Sequence, residues 1–142
     1  MQLRPWSSTA LATGGAILVA RGLYFAFVRP ALLPEDARFM GPSMAAIEAS
    51  LPGMATWLGR VFLVMGGFMF ATGALTCHLA VTALRQRAFG SAWVAALVGL
   101  ASIGTMAAVN FAIASDFKWL ILSFTLPWVL ALALYWRETP RS

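Results

Sequence analysis

Charged residues are scarce in this chain: they make up 11% of its 142 residues, and only five of them are acidic. Soluble domains carry about 25% charged and about 45–50% apolar residues, whereas 61% of this sequence is hydrophobic and its mean hydropathy is +0.80. So little charge excludes a soluble enzyme, a disordered chain and a coiled coil. The composition indicates an all-α membrane protein, with residues 1–142 forming one domain.

Cysteine and histidine occur once each, as Cys77 and His78. A single cysteine forms no intrachain disulfide, which excludes a disulfide scaffold. Adjacent helical positions point in different directions, so this pair does not form a metal site, and we predict no metal and no cofactor. We predict that His78 is a neutral side chain bonded to the hydroxyl of Thr82 or Thr13, with a proton relay as the alternative role.

Four segments are long and apolar enough to cross a hydrocarbon core of about 30 Å, which needs roughly 20 helical residues. They cover residues 8–28, 57–84, 91–114 and 117–136. Short connections after the second and third segments force antiparallel neighbours, which predicts an up-and-down four-helix transmembrane bundle. Pro127 is expected to kink the fourth helix.

The net charge of +5 would favour a nucleic-acid partner in a soluble chain, but the basic residues are scattered between apolar runs, and we predict no nucleic-acid binding. Their distribution instead sets the topology, because basic residues near span ends favour the cytoplasmic side. One side carries Glu138 and five arginines: Arg4, Arg85, Arg87, Arg137 and Arg141. The other carries four acidic residues and four basic ones: Arg29, Arg38, Arg60 and Lys118. We expect both termini in the cytoplasm.

The outer loop, residues 29–56, does not have the composition of a flexible linker. Pro30 and Pro34 are expected to hold its first part extended. Ser43 can then cap a short helix whose apolar residues Met44, Ile47 and Leu51 recur on one side. We predict an amphipathic helix lying on the outer end of the bundle, with an ordinary connecting loop as the alternative.

Small residues form stripes on the first two spans. Gly14, Gly15 and Gly22 lie on the first, and the second carries Gly67 beside a seven-residue repeat of Gly59, Gly66, Gly73 and Ala80. In a bilayer, small residues allow close backbone packing between helices. The stripes predict a contact between helices one and two, or between copies of the chain in a homo-oligomer or larger membrane complex.

Arg21 is the most informative residue, because it lies eight residues before Arg29 and about 12 Å below the outer boundary. A charge at this depth needs partners. One hypothesis is that Glu35 and Asp36 fold over the bundle mouth and pair with Arg21 and Arg60. The other is that Arg21, Arg60 and Asn110 bind an anionic or hydrogen-bonding ligand, such as a lipid headgroup.

Three runs of the sequence form a pattern: LPEDARFMG at 33–41, WLGR at 57–60 and GG at 66–67. With these runs, residues 14–73 resemble small bacterial inner-membrane proteins of unknown function that are broadly DoxX-like. In those proteins a first span is followed by a proline-bounded outer loop and a glycine-rich second span. The resemblance implies a bacterial inner membrane and supplies no catalytic residues.

No carboxylate pair, nucleophile–base couple or metal set occurs at one depth in the sequence, so we predict a non-enzymatic protein. The favoured hypothesis is an accessory or interaction subunit surrounded by membrane lipid. The alternative is a binding or transport protein for a small anionic or amphipathic ligand, held at the outer-facing arginine site.

Overall fold

The computed structural model describes residues 6–41 and 43–138, and every regular element within them is helical. Four helical segments are long and apolar enough to cross a membrane, which is consistent with a multi-pass membrane protein. The first three are α1 (Trp6–Phe27), α4 (Met54–Leu84) and α5 (Ser91–Ala112), and the fourth spans Lys118–Arg137. The predicted four-helix bundle is therefore confirmed, although Arg4 and Arg141 lie outside the described residues.

The fourth span is interrupted as Pro127 predicts. It consists of α6 (Lys118–Ser123) and α7 (Leu126–Arg137), with Pro127 in the first turn of α7. Proline cannot donate a backbone hydrogen bond to the preceding turn, so the helix stops and restarts before it. The hydroxyl of Thr125 donates to the Leu122 carbonyl at this break.

Glycines bring α1 and α4 into backbone contact at two levels. A Cβ on Gly15 would lie 2.8 Å from the Gly73 carbonyl oxygen, and one on Gly22 would lie 2.7 Å from that of Gly66. Both distances are too short for a side chain, so the helices depend on glycine at these positions. The predicted contact between helices one and two is confirmed. Gly59 and Gly67 lie outside it, with open space around them.

The half of the bundle that contains the start of α1 and the end of α7, here called the terminal half, is closely packed. Trp128 is 3% exposed, and its ring lies against Gly14 on one side and Gly99 on the other. At the terminal end, the Ser7 backbone N–H donates to the Glu138 carboxylate. This contact joins the start of α1 to the residue that follows α7, and it places a negative charge at a helix N-terminus, where it is stabilising.

The opposite end, here called the loop end, carries two short helices between α1 and α4. The expectation of extended backbone around Pro34 is wrong, because this residue begins α2 (Pro34–Met40). Proline suits the first helical position, and the Asp36 carboxylate caps the turn by accepting from the Leu33 N–H at 2.8 Å. Sequence reasoning missed this helix.

The second short helix, α3 (Met44–Ser50), is the one predicted from Ser43. The Ser43 hydroxyl accepts a hydrogen bond from the Ala46 N–H, as an N-cap does. Of the three apolar residues expected on one face, Ile47 is buried whereas Leu51 is 57% exposed. The amphipathic character of this helix stays a prediction.

Candidate ligand cavity

A cavity of about 670 Å³ occupies the loop half of the bundle. It exists because α1 packs on α4 while the loop half of α5 packs mainly on α6, so the two helix pairs diverge. Its volume lies within the range of small-molecule binding sites, about 300–1,000 Å³. Most of the lining is apolar or aromatic, and its polar members are Arg21, Tyr24, Arg29, Glu35, Asp36, Ser102, Thr105 and Asn110.

The Arg21 guanidinium lies among aromatic rings on one wall of this cavity. Its central carbon is 5.1 Å from the ring centre of Phe25, 5.4 Å from that of Tyr24 and 5.9 Å from that of Phe124. Nη2 lies 3.8 Å from the sulfur of Met106, and Nε is buried with no hydrogen-bond acceptor in the described part of the chain. Within residues 6–41 and 43–138, Arg21 forms no ion pair.

The predicted pairing of Arg21 with Glu35 or Asp36 is wrong. Glu35 is 6% exposed and accepts hydrogen bonds from the Ser115 hydroxyl at 2.8 Å and the Asp116 N–H at 3.3 Å. Asp36 pairs with Arg29 at 3.2 Å. The helical turn that starts at Pro34 accounts for the difference, because it directs one carboxylate to the α5–α6 turn and the other to the end of α1.

Arg29 belongs to the cavity, although sequence reasoning counted it only as an interfacial charge. Its guanidinium lies over the Phe62 ring at 4.0 Å and donates to the Pro30 carbonyl at 2.9 Å. Together with Asp36 it closes the loop end of the cavity, and its side chain is 11% exposed. The available signal was the spacing of four from Phe25, which predicts both residues on one side of the chain where the first span ends.

Arg60 does not join the other predicted site residues. It is exposed and borders a separate surface groove with Val61, Val64, Met65 and Phe68. Two helical steps, about 200°, separate positions 60 and 62, and it is Phe62 that faces the cavity. Arg21 and Arg60 lie at similar distances along the chain from the loop end, but their side chains point in different directions and do not meet.

Asn110 lies on the cavity wall opposite α1. Its amide Nδ2 donates to the Met106 backbone carbonyl at 2.9 Å, one turn earlier on α5. Because the sulfur of the same methionine contacts Arg21, Met106 connects the two polar groups. The expectation that Arg21 and Asn110 share one level agrees with this arrangement.

The floor of the cavity is a widened turn of α5 over Leu100–Gly104. Such π-type turns are frequent at functional sites. This one includes Ser102, which lines the cavity, and the Thr105 hydroxyl donates to the Leu100 carbonyl five residues earlier. Toward the terminal end, the buried side chains of Leu18, Ile103 and Trp128 fill the space.

His78 takes no part in this site. Its side chain is exposed on the bundle surface. The predicted partners bond elsewhere: the Thr82 hydroxyl donates to the His78 backbone carbonyl, and the Thr13 hydroxyl donates to the Thr9 carbonyl. The prediction of a hydroxyl bonded to the imidazole is wrong, because both threonines use the carbonyl one turn earlier in their own helix.

Comparison of the chain with protein-family models, curated proteins and solved structures gives no match. A guanidinium presents planar N–H donors that match the oxygens of a carboxylate or a phosphate. Here that donor set lies in an apolar cavity, among aromatic and methionine side chains.

Proposed function

We propose that this chain is a non-enzymatic, membrane-embedded binding protein for an anionic amphipathic ligand. The observation that carries the proposal is Arg21: its guanidinium lines a large cavity, and the loop-end carboxylates Glu35 and Asp36 bond to other groups. The anionic head of the ligand would lie against Arg21, with Asn110 nearby. Its apolar part would pack on Met65, Met69 and the aromatic rings.

A charge without an ionic partner is costly inside a membrane. An arginine at the centre of a transmembrane helix costs at least about 2.5–3.5 kcal/mol. Cation–π contacts with Tyr24, Phe25 and Phe124 offset part of this cost. A bound anion would supply the missing opposite charge, and hydrogen bonds to charged groups contribute about 1.5–3 kcal/mol.

Binding is favoured over conduction because the cavity is confined to the loop half. Between its floor and the terminal end lie Leu11, Leu18 and Trp128, all buried. The two leucines offer no polar group to a desolvated anion, and the indole N–H of Trp128 offers a single donor, so this segment opposes ion passage.

We also propose the location that the sequence predicts: a bacterial inner membrane, a distant relationship to DoxX-like proteins, and both termini in the cytoplasm. Arg85 and Arg137 are exposed at the terminal end, while Arg38 at the loop end is paired with Asp116.

With Cys77→Ala as background, cysteines introduced at the exposed positions Ser43 and Gln86 should react with an impermeant thiol reagent in intact cells only at position 43. Labelling confined to position 86 would reverse the topology.

The test of binding uses hexadecyl phosphate and inorganic phosphate as probes on purified protein in lipid nanodiscs. Hexadecyl phosphate should bind saturably, and Arg21→Gln should weaken it by about tenfold or more, since 1.4 kcal/mol is a factor of ten. Arg60→Gln is the matched control, because Arg60 is exposed outside the cavity, and it should leave the affinity unchanged. Equal affinities for wild type and Arg21→Gln would refute the proposal. Tight binding of inorganic phosphate alone would instead identify a free anion as the ligand.

The interaction-subunit hypothesis has one supporting observation of its own. Gly59 and Gly67 lie on the exposed surface of α4 with open space beside them, and small residues permit close helix approach in lipid. If copies associate there, Gly67→Leu should reduce energy transfer between donor- and acceptor-labelled copies in vesicles. Unchanged transfer would remove this surface as a contact.

A further inference from the structure

We infer that the cavity receives a single-chain anionic amphiphile sideways from the bilayer, through a slit between α4 and α5. The inference rests on the proposed function and adds the ligand class and its route. The slit is defined by Phe62, Met65 and Met69 on α4 and by Ala101, Thr105 and Val109 on α5, all of which line the cavity.

The α5 side of the slit is open to the membrane. Ala101, Thr105 and Val109 recur every four residues, so they form one row along the helix. Each of them lines the cavity and is also exposed. A side chain that meets both conditions lies at an edge of the cavity. Phe117 and Leu120, at the start of the fourth span, mark another edge in the same way. The row on α5 lies within a span, so its edge faces lipid.

The loop end of the cavity beside α1 and α2, in contrast, is covered. Arg29 and Asp36 form an ion pair across it, and the carboxylate of Asp36 also holds the Leu33 N–H. Behind them Glu35 is buried and bonded to Ser115. Entry from water at this point would require breaking this network, whereas the described side chains of the slit form no hydrogen bond or ion pair with one another across it.

The depth of the slit matches the depth of Arg21. This residue lies six positions before the end of α1, and Thr105 lies seven before the end of α5, or about 9 Å and 10 Å from the loop end at 1.5 Å per residue. An amphiphile with its head at Arg21 can therefore leave its chain in the slit, in contact with both protein and lipid. The slit offers one row of contacts on each side, which suits one chain.

The route is tested with hexadecyl phosphate that carries a photoreactive diazirine near the middle of its chain, in vesicles containing the protein. Light should attach the probe to slit residues, Ala101, Thr105 and Phe62 among them, and excess unlabelled hexadecyl phosphate should compete. Arg21→Gln should abolish this labelling. Attachment that depends on Arg21 but falls on Leu33 and Phe117 would overturn the lateral route and leave the binding function intact. Absence of any Arg21-dependent attachment would overturn both.

Kinetics supply a second measurement. Thr105→Trp places a large ring at the slit and should slow association of hexadecyl phosphate by tenfold or more. Val94→Trp, at an exposed position of α5 outside the cavity, is the matched control and should leave the rate unchanged. An unchanged association rate in Thr105→Trp would overturn the lateral route.

Discussion

Replacing Arg21 by leucine should stabilise the ligand-free protein. Removing a buried charge usually destabilises a protein because a partner is left behind. Here the described residues contain no carboxylate paired with Arg21, and its contacts are three aromatic rings and the sulfur of Met106. Leucine would keep apolar contacts in the same region and leave no charge unpaired. Function and stability would therefore oppose each other at this residue, as they often do at binding sites.

The magnitude follows from three contributions. At a helix centre, arginine costs about 2.5–3.5 kcal/mol and leucine gains about 0.3–0.6 kcal/mol. Arg21 lies about 7 Å from the middle of α1 at 1.5 Å per residue, so most of this difference applies. The aromatic contacts return about 0.5–1 kcal/mol each. The net gain is about 1–2 kcal/mol, or about 3–6 °C in Tm for a chain of this length.

Thermal unfolding of delipidated protein in a neutral detergent, followed by circular dichroism, measures this difference. Arg29→Leu is the comparison, because it removes the partner of Asp36 and the stacking on Phe62. It should lower the free energy of unfolding by about 1–3 kcal/mol, since the pair is only partly buried. If Arg21→Leu destabilised the protein as much as Arg29→Leu, Arg21 would have a partner of its own. Arg21 would then not be available to bind an anion.

Two further predictions concern the packing of the bundle. Gly66→Ala would place a Cβ 2.6 Å from the Gly22 carbonyl oxygen, so it should lower the free energy of unfolding by about 1–3 kcal/mol. Gly67→Ala is the control, because this position faces open space, and it should leave the free energy of unfolding unchanged. Equal effects of the two variants in thermal unfolding would contradict the close contact between α1 and α4. Vesicles that contain the protein should retain trapped phosphate as well as protein-free vesicles do, because Trp128 and its neighbours fill the terminal half of the bundle. Phosphate leakage that Arg21→Gln abolished would indicate a channel instead.

The sequence predicts the bundle well because its strongest signals are local. Apolar length defines the four spans, and the structure places their ends within three residues of the predicted ones. Pro127 marks the interruption of the fourth span. The repeat that contains Gly66 and Gly73 marks the contact with α1, since only small residues allow that approach.

The candidate site is less predictable, because it depends on the direction in which each side chain points. Arg60 and Arg21 lie at similar distances along the chain from the loop end of their spans, yet the side chain of Arg60 faces outward. Glu35 was available to either arginine by charge alone, and the position of α2 sends it to Ser115. The loop was expected to start extended, so the hydrogen bonds of a helix that begins at Pro34 could not be anticipated.

The packed half and the open half of the bundle are parts of one arrangement. Glycine at positions 15, 22, 66 and 73 holds α1 tightly on α4 over two turns, which keeps Arg21 on a fixed wall. Trp128, seated between Gly14 and Gly99, occupies the terminal half. The widened turn at Leu100–Gly104 lies directly before the part of α5 that packs on α6. A cavity wall fixed by close packing cannot collapse to bury Arg21 against a carboxylate of the loop. The same packing that stabilises the bundle therefore keeps the guanidinium available to a ligand.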